Sequence, residues 1–108
     1  MKNVLITGVS GYVGKALVSE LKNINLFSLD RIYDKNISRQ SNKFICNDLN
    51  KLSLETESFL FDFSGTIVHL AAARSDDFSE KTYVIDTLRA TETFIAKLDP
   101  KKLSYLFI

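Results

Sequence analysis

The sequence predicts an α/β fold in which helices cover a parallel, doubly wound sheet. Two observations lead to this prediction. Short apolar runs alternate along the chain with longer segments of helical periodicity, and the first apolar run is continuous. A continuous run is typical of a strand buried on both faces, as in parallel sheets. Alternating strands and helices imply right-handed crossovers between parallel strands.

The first part of the chain predicts a strand, a helix and a second strand. The apolar run Val4-Leu5-Ile6 predicts the first strand. A helix is predicted from Gly11 to about Lys22, because its apolar residues share one face. These residues recur four positions apart, at Val13, Leu17 and Leu21. Leu26 to Leu29 predicts the second strand, which ends at Asp30.

The middle of the chain is less regular. Residues 31–42 are polar and predict a loop, with one helical turn as the alternative. Residues 43–46 predict a short third strand in which Cys46 is buried. Residues 52–61 predict a helix with weak caps. Three aromatic residues alternate here in a way that fits either a half-buried strand or aromatic packing: Phe59, Phe61 and Phe63.

The last part of the chain predicts a strand, a long helix and a final strand. Thr66 to Leu70 is the fourth predicted strand. A helix follows from about Ser79 to Leu98, and Pro100 is its stop signal. Leu103 to Ile108 predicts the fifth strand.

Length and composition restrict the class of protein. The 108 residues are expected to form one domain, and 45% hydrophobic with 25% charged residues is ordinary for a globular protein. A net charge of +1 gives no electrostatic basis for a nucleic-acid or acidic-membrane partner. The apolar runs are far shorter than the roughly 20 residues of a membrane helix. With no signal-peptide pattern and a single cysteine, the sequence predicts a cytoplasmic protein.

A glycine-rich turn follows the first predicted strand in the stretch ITGVSGYVG. A dinucleotide pyrophosphate can sit at a helix N-terminus, provided that the turn before the helix lacks side chains. The position of the glycines between strand and helix favours this function over a purely conformational role. The candidate cofactor-binding residues of the turn are Gly8, Gly11, Tyr12, Val13 and Gly14.

Asp30 lies at the end of the second predicted strand, 22 residues after Gly8. An acidic residue at about this distance accepts hydrogen bonds from the adenosine ribose hydroxyls. The alternative for Asp30 is a solvated loop residue. A carboxylate would repel a 2′-phosphate, so Asp30 favours NAD over NADP. Arg31 follows directly and could accommodate that phosphate, which leaves NADP open.

Four motifs together resemble those of the extended short-chain dehydrogenase/reductases, the NAD-dependent epimerase/dehydratase group. They occur in the family's order as Thr7-Gly8-x-x-Gly11-x-x-Gly14, Asn47-Asp48-Leu49, His69-Leu70-Ala71-Ala72 and Arg74. The resemblance extends from Met1 to Ile108. It implies a Rossmann-type sheet, truncated here after about five strands, with a dinucleotide cofactor.

The resemblance also implies roles for individual residues. Asp48, followed by Leu49, would hold the adenine amino group, and Arg74 would lie near the nicotinamide ribose and phosphates. The motif Leu70-Ala71-Ala72 would place small residues along the nicotinamide side. Asp48 could equally be a turn or capping residue. His69 is interpreted as a strand-end histidine with local packing or hydrogen bonds rather than as a catalytic base.

The chain departs from the family pattern in two ways. Asp86 stands where members of the family carry an asparagine. The family's serine or threonine and its Tyr-x-x-x-Lys pair would follow the fifth strand, so no catalytic residue is expected within these 108 residues.

The resulting prediction is the NAD(P)-binding part of an epimerase, dehydratase or reductase that transfers hydride to and from a nucleotide-sugar. The chain alone is expected to be inactive, and to meet the nucleotide-sugar only if it is completed. The alternatives are a non-catalytic NAD(P)-binding or sensing module, or the remnant of a truncated gene. The exposed fifth strand predicts marginal stability and self-association.

Overall fold

The computed structural model describes residues 1–72 and 80–108, and its strands form one parallel five-stranded sheet. The strand order is β3-β2-β1-β4-β5. The strands are β1 (Lys2–Thr7), β2 (Ile24–Asp30), β3 (Lys43–Cys46), β4 (Gly65–His69) and β5 (Leu103–Phe107). All five predicted strands are confirmed, and so is the fold class.

The helices lie between successive strands. They are α1 (Tyr12–Glu20), α2 (Lys35–Gln40), α3 (Leu54–Asp62) and α4 (Glu80–Ala96), followed by a 3-10 turn at Pro100–Lys102. In the described part of the chain, no helix is long and apolar enough to cross a membrane.

Helix α2 lies in the segment for which a loop was predicted, with one helical turn as the alternative. Asp34 begins this helix, since its carboxylate accepts a hydrogen bond of 3.0 Å from the Ile37 N–H. This bond is the main cause of the lowered pKa of Asp34. The buried Ile37 side chain attaches the helix to the core. The segment predicted as a loop with room for one helical turn therefore contains a helix of six residues, at 35–40.

Two apolar layers cover the two faces of the sheet. Strand β1 divides its residues between them, because successive side chains of a strand point to opposite faces. Leu5 packs with Leu60 of α3 and Phe94 of α4. Val4 and Ile6 join the opposite layer, which includes Val18 of α1 and Ile37 of α2. Helices on both faces make the sheet doubly wound, as the continuous run predicted.

The aromatic residues near α3 pack together rather than forming a strand. The Phe27 ring lies 5.6 Å from the rings of both Phe59 and Phe63. Phe61 points away from this cluster and is exposed. The packing alternative is therefore confirmed for Phe59 and Phe63.

The prediction that Cys46 is buried is wrong. Cys46 ends the edge strand β3 and is exposed, and its thiol donates a hydrogen bond of 3.4 Å to the Arg31 carbonyl oxygen.

The topology marks one edge of the sheet for ligand binding. The chain passes from β1 outward to β2 and β3, then returns to place β4 on the other side of β1. In open α/β sheets, ligands bind outside the carboxyl ends of the strands where the strand order reverses in this way. That point lies between Thr7 and His69, which pair across β1 and β4.

Candidate functional site

A cleft of about 550 Å³ opens at the carboxyl edge of the sheet, where the strand order reverses. Its volume is within the range of small-molecule and cofactor sites. The cleft brings together nine of the residues that the sequence predicted: Gly8, Gly11, Asp30, Arg31, Asp48, Leu49, Leu70, Ala71 and Ala72.

The other predicted residues are placed differently. The Tyr12 side chain is 92% exposed, and Val13 is also exposed. Gly14 is buried in α1. The main-chain N–H groups of these three residues belong to the uncapped first turn of α1. Arg74 lies outside the described residues.

Gly8 is required by the fold itself. Its φ of +70° is in the left-handed region that favours glycine. A Cβ at this position would lie 2.6 Å from the Ala71 nitrogen and 2.8 Å from the Leu70 carbonyl carbon. The end of β1 therefore touches the segment after β4 through bare backbone.

Gly14 is also required by packing within the chain. A Cβ there would lie 2.6 Å from the Val9 carbonyl oxygen and 2.7 Å from that of Gly8. Helix α1 could not approach the turn this closely with any side chain at position 14.

Gly11 differs from both, because the fold gives no strong reason for a glycine there. Its φ of −76° suits any residue, and its Cβ would approach only the Gly8 carbonyl oxygen, at 3.3 Å. Gly11 borders the cleft at the N-terminus of α1. Position 11 thus lies at the border of the cleft, beside the first N–H groups of α1.

The N-terminus of α1 can bind an anion. The first N–H groups of a helix have no intrahelical acceptor. In the part of the chain that the structure describes, no side chain caps α1, and its first turn has no acidic residue. The unpaired N–H groups and the helix dipole therefore favour negative charge beside Gly11.

Asp30 joins the glycine turn to the loop after β2. One carboxylate oxygen accepts a hydrogen bond from the Ser10 N–H and the other from the Ile32 N–H, both of 3.0 Å. The Ser10 hydroxyl also donates to the Ile32 carbonyl oxygen at 2.7 Å. Each carboxylate oxygen keeps further lone-pair capacity. Asp30 can thus hold the turn and still accept from a ligand hydroxyl.

Asp48 organises a turn, as the simpler of its two interpretations predicted. Its carboxylate accepts a hydrogen bond of 2.9 Å from the Asn50 N–H. It does not cap the next helix, because Ser53 fills that position and accepts from the Thr56 N–H at 3.1 Å. Asp48 also lines the cleft, and its suggested contact with adenine remains a prediction.

His69 is held by local contacts, which confirms its interpretation as a strand-end residue. It is 4% exposed. Its Nδ1 lies 2.6 Å from the Thr7 hydroxyl and its Nε2 lies 3.0 Å from the Thr91 hydroxyl. The ring stacks on Phe94 with 4.8 Å between centroids. Burial lowers the pKa of His69 below its ordinary value of 6.5.

Several residues that line the cleft were not predicted from the sequence to be site residues. Ser10, Ile32, Asn47, Asp86 and Ala90 belong to this group. Asp86 and Ala90 are four positions apart on α4, so the helical period could have placed them on one face. The contacts of Ser10 and Ile32 with Asp30 leave no local pattern in the sequence.

Comparison with known families identifies the chain. A model of the NAD dependent epimerase/dehydratase family matches residues 4–98. The chain belongs to this family. The order of the motifs after β1, β3 and β4 had suggested the same family. Among curated proteins, no match was found.

Solved structures of epimerases resemble this epimerase/dehydratase-family chain over most of its length. The UDP-Glc/GlcNAc 4-epimerase from Campylobacter jejuni is 21% identical, with a TM-score of 0.70 over 90% of this chain and 33% of that chain. The UDP-glucose-4-epimerase from Stenotrophomonas maltophila, with bound NAD and formylated UDP-arabinopyranose, is 20% identical, with a TM-score of 0.67 over the same shares. These two similarities establish a Rossmann-type fold.

MoeE5, in complex with UDP-glucuronic acid and NAD, is more similar in sequence. It is 31% identical to the epimerase/dehydratase-family chain, with a TM-score of 0.62 over 88% of this chain and 32% of that chain. The chain thus spans about a third of the length of the solved structures it matches.

Proposed function

We propose that residues 1–108 bind NAD in the cleft and form the cofactor-binding part of a nucleotide-sugar epimerase, dehydratase or reductase. The observation that carries this proposal is Gly11. Gly8 and Gly14 are required by close contacts within the chain, whereas a Cβ at position 11 would meet only the Gly8 carbonyl oxygen, at 3.3 Å, and the residue borders the cleft. A glycine that the fold requires less than the other two, beside an uncapped helix N-terminus, fits the close approach of a pyrophosphate.

The proposed orientation places the adenosine ribose at Asp30. The carboxylate is fixed by the N–H groups of Ser10 and Ile32, so its free lone pairs are held in place before a ligand arrives. A fixed negative charge favours the 2′-hydroxyl of NAD over the 2′-phosphate of NADP. Arg31 is exposed at the same end of the cleft, so the preference for NAD over NADP is expected to be limited rather than absolute.

The nicotinamide end is proposed to lie along Leu70-Ala71-Ala72. These residues follow β4 and line the cleft beside Gly8, and the small side chains of Ala71 and Ala72 leave room for a ring. NAD supplies a hydride acceptor and donor when bound. Two of the solved neighbours are in complex with NAD and a UDP-linked sugar, which supports the class of cofactor and substrate.

The test is an NADH titration, followed by fluorescence, of the wild-type chain and of two variants. Gly11→Val should weaken binding by at least about tenfold, because its side chain would block the helix N-terminus. Ala16→Val is the matched control, since it adds bulk to the exposed face of α1 away from the cleft. It should bind NADH like the wild type.

Two results would contradict the proposal in different ways. A folded wild-type chain that does not bind NADH would exclude the cofactor. Equal binding by the wild type and Gly11→Val would place the nucleotide elsewhere on the molecule.

A further inference from the structure

His69 stands at the centre of a hydrogen-bond network beneath the cleft. Its ring connects Thr7, at the end of β1, to Thr91 on α4. The Thr7 hydroxyl oxygen also accepts the N–H groups of Leu70, at 3.2 Å, and Ala71, at 3.3 Å. The network therefore connects the carboxyl ends of β1 and β4 with Leu70 and Ala71 on one side of the cleft and with helix α4 on the other.

The donors around the Thr7 hydroxyl favour one position for the proton on the imidazole. A hydroxyl group has one proton to donate and two lone pairs that accept. The Ala71 N–H donates to the Thr7 hydroxyl oxygen at 3.3 Å, and the Leu70 N–H is shared between that oxygen, at 3.2 Å, and the Thr7 carbonyl oxygen, at 3.0 Å. With these N–H groups on the lone-pair side of the hydroxyl, its proton is assigned to the 2.6 Å bond with Nδ1 of His69, which accepts. The ring proton of the neutral imidazole is left on Nε2, where it donates to the Thr91 hydroxyl.

This network determines the position of the backbone on both sides of the cleft. Leu70 and Ala71 line one wall, and Gly8 lies so close to them that it has no room for a Cβ. Thr91 adjoins Ala90, which lines the cleft from α4. A change at the imidazole would act on the segment 70–72 through the Thr7 hydroxyl, and on α4 through Thr91.

We propose that His69, with its proton on Nε2, is a positioning residue that sets the distance between the glycine turn and the segment 70–72 for dinucleotide binding. This proposal rests on the proposed function. His69 itself is buried below the cleft and makes no contact with a ligand in this role. The imidazole acts through the Thr7 hydroxyl, which it orients by accepting the proton.

The surroundings of the imidazole hold it in one protonation state. Within residues 1–72 and 84–108, the groups shown in contact with the ring are two threonine hydroxyls and the Phe94 ring, and none of these three is ionisable at neutral pH. On α4, the charged residues nearest to Thr91 in sequence are Arg89 and Glu92, both exposed, while Asp86 lines the cleft. Burial of the ring disfavours its protonated form.

The first part of the test is the ring nitrogen NMR spectrum of the wild-type chain. The chain has a single histidine, so the imidazole signals need no assignment among several rings. At neutral pH the spectrum should show one tautomer, with an unprotonated Nδ1. A protonated Nδ1, or an equal mixture of tautomers, would overturn the proposed arrangement.

The second part compares Thr7→Val with Thr7→Ser in NADH binding. Valine keeps the shape of threonine without the hydroxyl, so the Ala71 N–H and Nδ1 of His69 lose their partner. We expect about a tenfold or greater loss of NADH affinity, which corresponds to the contribution of a single hydrogen bond. Serine keeps the hydroxyl and should restore both the affinity and the single-tautomer spectrum.

The outcomes separate this proposal from the proposed function. If the wild type does not bind NADH, the proposed function is wrong and the positioning role is wrong with it. If the wild type binds and Thr7→Val binds equally well, only the positioning role is wrong. If Thr7→Ser lowers affinity as much as Thr7→Val while both unfold at the same urea concentration, the hydroxyl is not the group responsible.

Discussion

Gly8, Gly11 and Gly14 share a spacing of three residues but differ in what a side chain would meet. At Gly14 a methyl group would lie 2.6 Å from the Val9 carbonyl oxygen, and helix α1 would have to move off the turn. Gly14→Ala should therefore lower the free energy of unfolding by about 1–3 kcal/mol, despite the better helix propensity of alanine. Gly11→Ala is the control and should lower the free energy of unfolding by less than Gly14→Ala does. Urea denaturation measures both, and equal midpoints would contradict the prediction.

Asp30 has both a structural and a ligand-binding role, and one substitution tests the two together. In Asp30→Asn, one oxygen becomes an NH₂ group and can no longer accept the N–H of Ser10 or Ile32. The unpaired N–H should cost about 1–3 kcal/mol of stability. The lost charge should also narrow the preference for NADH over NADPH. Asp62→Asn is the control, because it removes an exposed charge outside the cleft.

If Asp30→Asn lowers the free energy of unfolding but leaves the ratio of the NADH and NADPH dissociation constants unchanged, Asp30 has only a structural role. The ratio of dissociation constants is therefore measured beside the urea midpoint, at one ionic strength.

His69 predicts how stability depends on pH. Burial lowers its pKa in the folded chain, so the unfolded chain binds a proton more readily near pH 6.5. The stability that the neutral, buried His69 ring contributes is therefore fully present above about pH 6.5. It is lost as the pH falls toward the pKa of His69 in the folded chain. The urea midpoint should fall between about pH 7.5 and about pH 5.5, which is above the range where carboxylates titrate. His69→Gln should remove this dependence, and an unchanged slope in that variant would contradict the prediction.

At the scale of elements, the pattern of apolar residues predicted the strands better than the short helices. A buried parallel strand shows itself as a continuous apolar run, as in Val4-Leu5-Ile6. Helix α2 has six residues and only one buried side chain, so its periodicity was too short to detect. Helix α3 was predicted to begin at residue 52 with weak caps, whereas it begins at Leu54 with Ser53 as its N-cap.

Ser53 nevertheless caps α3, and removal of its hydroxyl should have a measurable effect on the free energy of unfolding. Its hydroxyl oxygen accepts from the Thr56 N–H at 3.1 Å, and the hydroxyl also contacts the Thr56 hydroxyl at 2.9 Å. Ser53→Ala should lower the free energy of unfolding by about 1 kcal/mol. Ser58→Ala on the exposed face of the same helix is the control and should be neutral or slightly stabilising. Equal effects of the two variants in urea would show that the cap contributes little.

At the scale of the whole molecule, the sequence predicted which segments meet at the cleft but not how they bond to each other. Motifs after β1, β2, β3 and β4 could be placed at one edge because parallel strands bring their carboxyl ends together. The bonds between Ser10 and Asp30, and between Thr7 and His69, join residues 20 and 62 positions apart. Such pairs depend on tertiary packing, which a single sequence does not encode as a local pattern.

Strand β5 lies at an edge of the sheet, and its exposed apolar residues predict association between whole chains. Its exposed apolar residues are Tyr105 and Phe107, at 65% and 54% exposure, and Ile108 follows directly at 75%. Strand β5 pairs with β4 on one side and forms the edge of the sheet on the other. An apolar edge strand with free N–H and C=O groups favours pairing with a second chain. The 108-residue chain should therefore associate as its concentration rises.

The substitution Phe107→Lys tests this association, because a charged residue on an edge strand opposes pairing between chains. Light scattering at increasing concentration should show a growing mass for the wild type and a monomer for Phe107→Lys. Lys101→Glu is the control, since it changes an exposed charge in the preceding 3-10 turn without altering the apolar edge. NADH affinity should be the same for both variants, because neither position lines the cleft. A wild-type chain that stays monomeric at all concentrations would contradict the prediction.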